Sequence, residues 1–220
     1  MRVDRTFEER LIDSALSLVL LSQIPDGEAI GDRLKVMKLL FLTEYRMFTE
    51  RAKGLNFTFY RWNLGPFSKE VEELWDALKV SGYLQEDEEF ALTDEGRRLA
   101  DAFQADVLED TTNAYFNEAI TSIAQQYGRQ NRNEIMRRVY EMQVFDIEGR
   151  RLRMRDASLG TVFTEALEPG EAKMIVTMDP GWLDTLAIAL DPARRESLSR
   201  AMAQVRAGKT LTHEHVWPAV

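Results

Sequence analysis

The sequence predicts a mainly helical α+β fold, and three of its features carry that expectation. Apolar residues recur at helical spacing in several long segments, beginning with Leu11, Ala15, Leu18 and Val19. Between two such segments lies an aromatic run, Phe57-Thr58-Phe59-Tyr60-Arg61-Trp62, with strong strand propensity. Capping and turn residues mark where the periodic segments start and stop.

Taken in order, residues 7–22 read as the first helix, broken by Ile24-Pro25-Asp26-Gly27. Asp32 can cap the second, in which Leu34, Met37, Phe41, Tyr45 and Phe48 form one apolar stripe. Lys35, Lys38, Glu44 and Arg46 fall on its other faces, and Lys53-Gly54 is the expected stop. The aromatic strand follows, Gly65-Pro66 is read as a turn, and Ser68 is a good N-cap for the next helix. Val71, Leu74, Trp75 and Leu78 make that helix's buried side, and Gly82 supplies a left-handed C-cap. Tyr83-Leu84 and Phe90-Ala91-Leu92 flank the acidic run Glu86 to Glu89 as a hairpin, and Thr93 caps the helix DEGRRLADAF. Two more helices are expected at about 108–127 and 132–143, separated by Gly128 and started by Asn131 or Asn133.

The periodicity weakens from Phe145, where GRRLRMRDASLG reads as a connector or exposed strand, with a boundary near Gly160. Residues 172–178 read as a strand, Asp179-Pro180-Gly181 as a turn, and Asp191-Pro192 as a helix start closed by Gly208. Residues 1–160 are therefore one expected domain and 161–220 a smaller α/β segment.

The 220 residues suffice for a core that needs no staples. Cysteine is absent, which excludes disulfides, thiolate metal sites and a cysteine nucleophile. The apolar window Ala15 to Leu21 is too short to span a bilayer. Asp4, Glu8, Glu9 and Asp13 before it do not suit a secretory signal, so a soluble cytoplasmic protein is expected. The net charge of −9 is the reverse of what a protein devoted to phosphate contact carries.

The order helix, aromatic strand, turn, helix, hairpin is the framework of a winged-helix-like unit, a fold that reads DNA or grips protein partners. A DNA-reading helix needs basic and amide side chains. Here Lys69 and Lys79 face Glu70, Glu72, Glu73 and Asp76. Arg150, Arg151, Arg153 and Arg155 are the densest basic cluster, read first as a solvated or salt-bridged face. His213-x-His215 lacks the spacing and further ligands of a zinc site. No nucleophile elbow, phosphate-cradling loop or HExxH occurs, so neither enzyme activity nor a cofactor or metal is expected. Within Arg61-Trp62-x-x-Gly65-Pro66-Phe67-Ser68, Gly65, Pro66 and Ser68 read as structural, and Arg61 either pairs with a carboxylate or projects toward a partner.

Residues about 30–140 resemble the Panacea domain of SocA-like bacterial antitoxins, related to GepA-type phage proteins. The resemblance rests on Leu34-x-x-Met37-Lys38-Leu39-Leu40-Phe41-Leu42, the Phe59-x-Arg61-Trp62-x-x-Gly65-Pro66-Phe67-Ser68 turn, Ser81-Gly82-Tyr83-Leu84 and Leu92-Thr93-x-x-Gly96. The end of the chain, SLSRAMAQVRAGKTLTHEHVW, is similar to the tails of prevent-host-death type antitoxins. Residues 145–190 match neither.

The resemblance implies an antitoxin that binds and neutralises a cognate protein toxin encoded nearby. Family members also serve as adaptors that deliver a toxin to a protease. The acidic composition suits a basic toxin. The expected contacts are Arg61, Trp62 and Phe67, with Leu198, Met202 and Val205 along one helical face and Trp217 as an anchor. The same helical face packing on the protein's own N-terminal domain is the alternative. A winged-helix transcription regulator is the competing function, with nucleic acid as a less favoured partner and homodimerisation left open.

Overall fold

Two helices buried on nearly every side organise the chain. In the computed structural model, which describes residues 4–25, 32–86 and 90–208, α1 (Phe7–Ser22) and α2 (Arg33–Thr49) form the centre of the core. Thr6 and Glu9 form a capping box at the start of α1, and Asp32 accepts from the Lys35 N–H at the start of α2. Leu16, Leu18, Val19 and Leu20 are fully buried on α1, as are Val36, Leu39, Leu40 and Phe41 on α2. A helix apolar all round needs neighbours all round. The expected single stripe on α2 is corrected accordingly: Lys35, Lys38 and Glu44 are buried, and only Arg46 of the four is half-exposed.

The remaining elements wrap these two. After α2 come β1 (Ala52–Lys53), the hairpin β2 (Phe59–Trp62) and β3 (Gly65–Phe67), and α3 (Lys69–Val80). The hairpin β4 (Leu84–Glu86) and β5 (Phe90–Leu92) leads into α4 (Asp94–Phe103). Next are α5 (Ala114–Tyr127), α6 (Arg132–Glu141) and a hairpin of β6 (Gln143–Phe145) and β7 (Arg151–Arg153). Strands β8 (Val162–Thr164) and β9 (Met174–Ile175) precede α7 (Pro180–Ala189) and α8 (Pro192–Arg206). Helix α1 packs on α3, α4, α5 and α7, and α2 on α5 and α6, with β1, β3 and β8 also against it. The chain is thus α+β and mainly helical, with four small sheets among the described residues.

Several expectations shift for local physical reasons. Helix α2 stops at Thr49, because Arg51 takes a left-handed φ of 57° and Lys53 joins β1. Gly54 serves close approach instead: a Cβ there would lie 2.8 Å from the Met47 sulfur and 2.9 Å from the Phe116 ring. Asn63 and Leu64 make the turn, and Gly65 and Pro66 lie in β3. Strand β3 is an edge, where proline's missing N–H costs no ladder bond. Ser68 occupies the N-cap position without capping; its hydroxyl donates to Glu70. Asp179-Pro180-Gly181 starts α7, with Asp179 accepting from the Gly181 N–H and Pro180 at the first helical position. The helix expected from about 108 begins at Ala114, after a π-helical turn (Gln104–Leu108) and a 3-10 turn (Thr111–Asn113). Gly27, the hairpin tip at 87–89, His213, His215 and Trp217 lie outside the described residues.

The segment after Gly160 is built into the body. Gly160 donates to the Arg61 carbonyl, and Arg61 donates to that of Thr161, which seats β8 beside β2 in the order β3-β2-β8. Phe163 is fully buried 6.0 Å from Phe41. Strand β9 pairs in parallel with β1, and α7 buries Leu186 completely and sets Trp182 edge-on to Phe103 at 5.4 Å.

Buried charges tie these layers together. The Lys53 ammonium donates to Glu9 of α1 (2.6 Å), to the Asn56 side chain (2.7 Å) and to the Leu167 carbonyl (2.5 Å). Asp13 accepts from the Asn56 N–H and side-chain amide and pairs with Arg5 at 2.7 Å. Burial pushes the Asp13 carboxyl up to about 6, although Arg5 and Asn56 pull the other way. Glu44 is also raised well above its ordinary value, by burial first and then by the charges of Asp13 and Glu70, and its Oε2 has no hydrogen-bond partner.

Two predictions test this interior. A chain ending at Gly160 loses its cooperative thermal transition, because β2 and α1 lose their cover, whereas one ending at Asp191 melts within a few degrees of the full chain. Glu44→Gln addresses the unpaired carboxyl. The folded state holds its proton more tightly than the unfolded chain does, so the wild type loses stability as pH rises above the ordinary value of 4.5. The variant should gain about 1–3 kcal/mol over wild type at pH 8 and nothing at pH 4 in urea denaturation. An equal gain at both pH values would refute the assignment.

Candidate functional site

The two faces of the β3-β2-β8 sheet differ because successive strand residues point opposite ways. Inward, Phe59 is fully buried, 5.4 Å from Phe41 and 6.2 Å from Phe57. Outward, Tyr60 and Trp62 lie side by side, and Tyr60 is directly opposite Phe67 on β3. The Tyr60 ring stands edge-on to both, at 6.3 Å from Trp62 and 5.7 Å from Phe67. Trp62 is 48% exposed, as is Leu64 at the hairpin tip. Burial and the nearby carboxylates Glu72 and Glu70 raise the Tyr60 hydroxyl above its ordinary value. Glu70 is occupied, accepting from the Thr58 N–H and the Ser68 hydroxyl.

Arg61 points to the other side. Its guanidinium lies over the Tyr140 ring at 5.2 Å and donates to the Trp62 carbonyl. Of the two roles open to it from sequence, it does not pair with a carboxylate, and its guanidinium lies on the side of the sheet opposite the Tyr60, Trp62 and Phe67 cluster. Behind it Lys38 is 1% exposed and donates to the Pro66 carbonyl at 2.7 Å. Among the described residues no carboxylate pairs with either cation. Burial, and secondarily the charge of Arg61, lower the Lys38 ammonium to about 7.

A second exposed surface lies at the other end of the chain. None of the 15 residues of α8 is buried. Leu198, Met202 and Val205 are 47%, 48% and 61% exposed at spacings of four and three, so their common face does not pack into the protein's own core. The start of the helix is fastened: Ser81 and Tyr83 hydroxyls donate to the Leu190 and Ala189 carbonyls, and Arg195 donates to the Ser81 carbonyl and covers the Tyr83 ring. Arg194, Arg195 and Arg200 meet Asp191, Glu95 and Glu196, which leaves the stripe predominantly apolar.

Of the sequence-predicted contacts, Trp62 and Phe67 share one face, Leu198, Met202 and Val205 share another, and Arg61 stands apart. Sequence reading did not single out Tyr60, for which alternation along β2 was the available signal, nor Leu64 at the hairpin tip. It also missed a groove of about 740 Å³ lined by Phe48, Phe145, Ile147 and Leu167, where the Phe145 N–H donates to the Tyr45 hydroxyl. Two of the four clustered arginines are paired, Arg150 with Asp146 and Glu148 and Arg155 with Glu141 and Asp156, while Arg151 and Arg153 are exposed on β7. Glu73 and Asp76 stand on the exposed side of α3, where Lys69 pairs with Glu73. Among the described residues no His, Asp or Glu cluster is arranged to hold a metal, and no helix is long and apolar enough to cross a membrane.

No family model, curated protein or solved structure matches the chain.

Lys38→Met tests the buried cation. Between pH 7 and 10.5 the unfolded chain keeps this proton while the folded protein gives it up, so wild-type stability rises with pH across that window. The variant lacks this contribution, and its stability relative to wild type should fall by up to about 1.4 kcal/mol per pH unit from pH 7 upward. Parallel wild-type and variant curves would place the ammonium in water.

Proposed function

We propose that the protein is an antitoxin that binds and blocks a cognate protein toxin encoded nearby, with α8 as a principal contact. The observation that carries this reading is the unburied apolar stripe of Leu198, Met202 and Val205 on a helix fastened to the body only at its start. A water-facing stripe of this kind seats well in an apolar groove on another protein. The Panacea-like and antitoxin-tail resemblances supply the partner class. The charge of −9 favours rapid encounter with a basic toxin.

The reading is tested by co-expression with the neighbouring open reading frame. Wild-type protein should restore growth, and Leu198→Glu with Met202→Glu should abolish the rescue while leaving the melting temperature unchanged, since both side chains already face water. A neighbour that is harmless alone, or full rescue by the double variant, rejects this function for α8.

A further inference from the structure

We propose that the outer face of the β3-β2-β8 sheet, formed by Tyr60, Trp62 and Phe67 beside Glu72, receives an arginine or lysine side chain from a basic segment of the protein partner. The inference rests on the partner-binding reading above and names the chemistry of a second contact.

Five aromatic rings elsewhere in this protein are covered by its own arginines. Arg5 lies over Phe57, Arg33 over Trp75, Arg46 over Tyr115, Arg61 over Tyr140 and Arg195 over Tyr83, all within 6.0 Å of the ring centre. Trp62 has no such partner among the described residues and is 48% exposed. Indole is the ring that attracts cations most strongly. The edge-on packing of Tyr60 against Trp62 and Phe67 holds the cluster in shape, so little conformational freedom is lost when a ligand arrives.

The electrostatics select the sign of the ligand. Glu72 is half-exposed at the start of α3, close enough for its charge to act on Tyr60, and it makes no hydrogen bond or ion pair among the described residues. Glu73 and Asp76 continue the negative surface along the helix, whose four carboxylates outnumber its two lysines, Lys69 and Lys79. Two cations of this hairpin region face the opposite side of the sheet, where Arg61 is engaged with Tyr140 and Lys38 with Pro66. A guanidinium placed over Trp62 would therefore meet a ring face on a surface that Glu72 and its neighbours on α3 make negative, while a phosphate backbone would meet repulsion.

Octa-arginine is a suitable probe, titrated into the full chain by calorimetry at low salt, with octaserine as the control. Wild type should bind octa-arginine and not octaserine. Trp62→Leu and Glu72→Gln should each weaken binding roughly fivefold, at wild-type melting temperature. Wild-type protein that fails to bind, or variants that bind as tightly as wild type, would overturn the proposal, the latter by assigning the attraction to net charge alone. The titration needs no toxin, so its failure leaves the growth-rescue reading of α8 standing. A failed rescue with the titration intact would instead leave the cation site without the partner proposed for it.

Discussion

The rest of the structure depends on the buried ammonium of Lys53. A charge taken out of water is tolerated only when its hydrogen-bonding capacity is met. Lys53 has three N–H donors, and each finds an acceptor on a different part of the chain: Glu9 in α1, Asn56 in the loop before β2, and the Leu167 backbone beyond β8. Asn56 passes the linkage on, because its backbone and side chain both donate to Asp13, which Arg5 holds from the other side. The beginning, middle and later parts of the chain are thereby fixed around one network. Displacing any of the three acceptors would leave a buried donor unmet, so the C-terminal segment cannot part from α1 without a large cost.

Against that satisfied network, Lys38 and Glu44 are exceptions on the same helix. Lys38 has only the Pro66 carbonyl, and Glu44 Oε2 has nothing. Both sit where α2 is enclosed on all sides, and burial moves each toward its neutral form. Lys38 at least has a visible role. It supports the β3 strand from behind and so holds the hairpin whose outer side carries Tyr60, Trp62 and Phe67. Glu44 has no comparable partner, and nothing in the structure accounts for a carboxyl at that position.

The exposed surfaces take their character from this interior. The aromatic cluster is displayed on a sheet whose inner face is locked by Phe59 against Phe41 and whose edge is held by Lys38. Helix α8 shows the opposite strategy, with a fastened start and a stripe that meets no core. A rigid aromatic surface and a projecting helix lose little order on binding, which leaves more of the contact energy for affinity.

The sequence by itself determined the local punctuation and the buried side of the ordinary amphipathic helices. Thr6, Asp32, Thr93, Asn131 and Asp191 cap the helices that follow them, Gly82 takes its positive φ after α3, and Val71, Leu74, Trp75 and Leu78 are buried. Of these caps, Thr6 alone was not anticipated, and the Asp179-Pro180 start was legible by the same grammar as Asp191-Pro192. These features are settled within a turn or two of chain, between residues a few positions apart. Only the tertiary structure decided where the charges of α2 go, which strands pair β1 and β2, and which of Arg61 and Trp62 faces out. Those outcomes hang on partners far along the chain, such as the 44 residues between Glu9 and Lys53 and the 114 between Lys53 and Leu167. A lysine on a helix reads as solvent-facing until its acceptors are in place, because the free energy that buries it belongs to the assembled network and not to the residue.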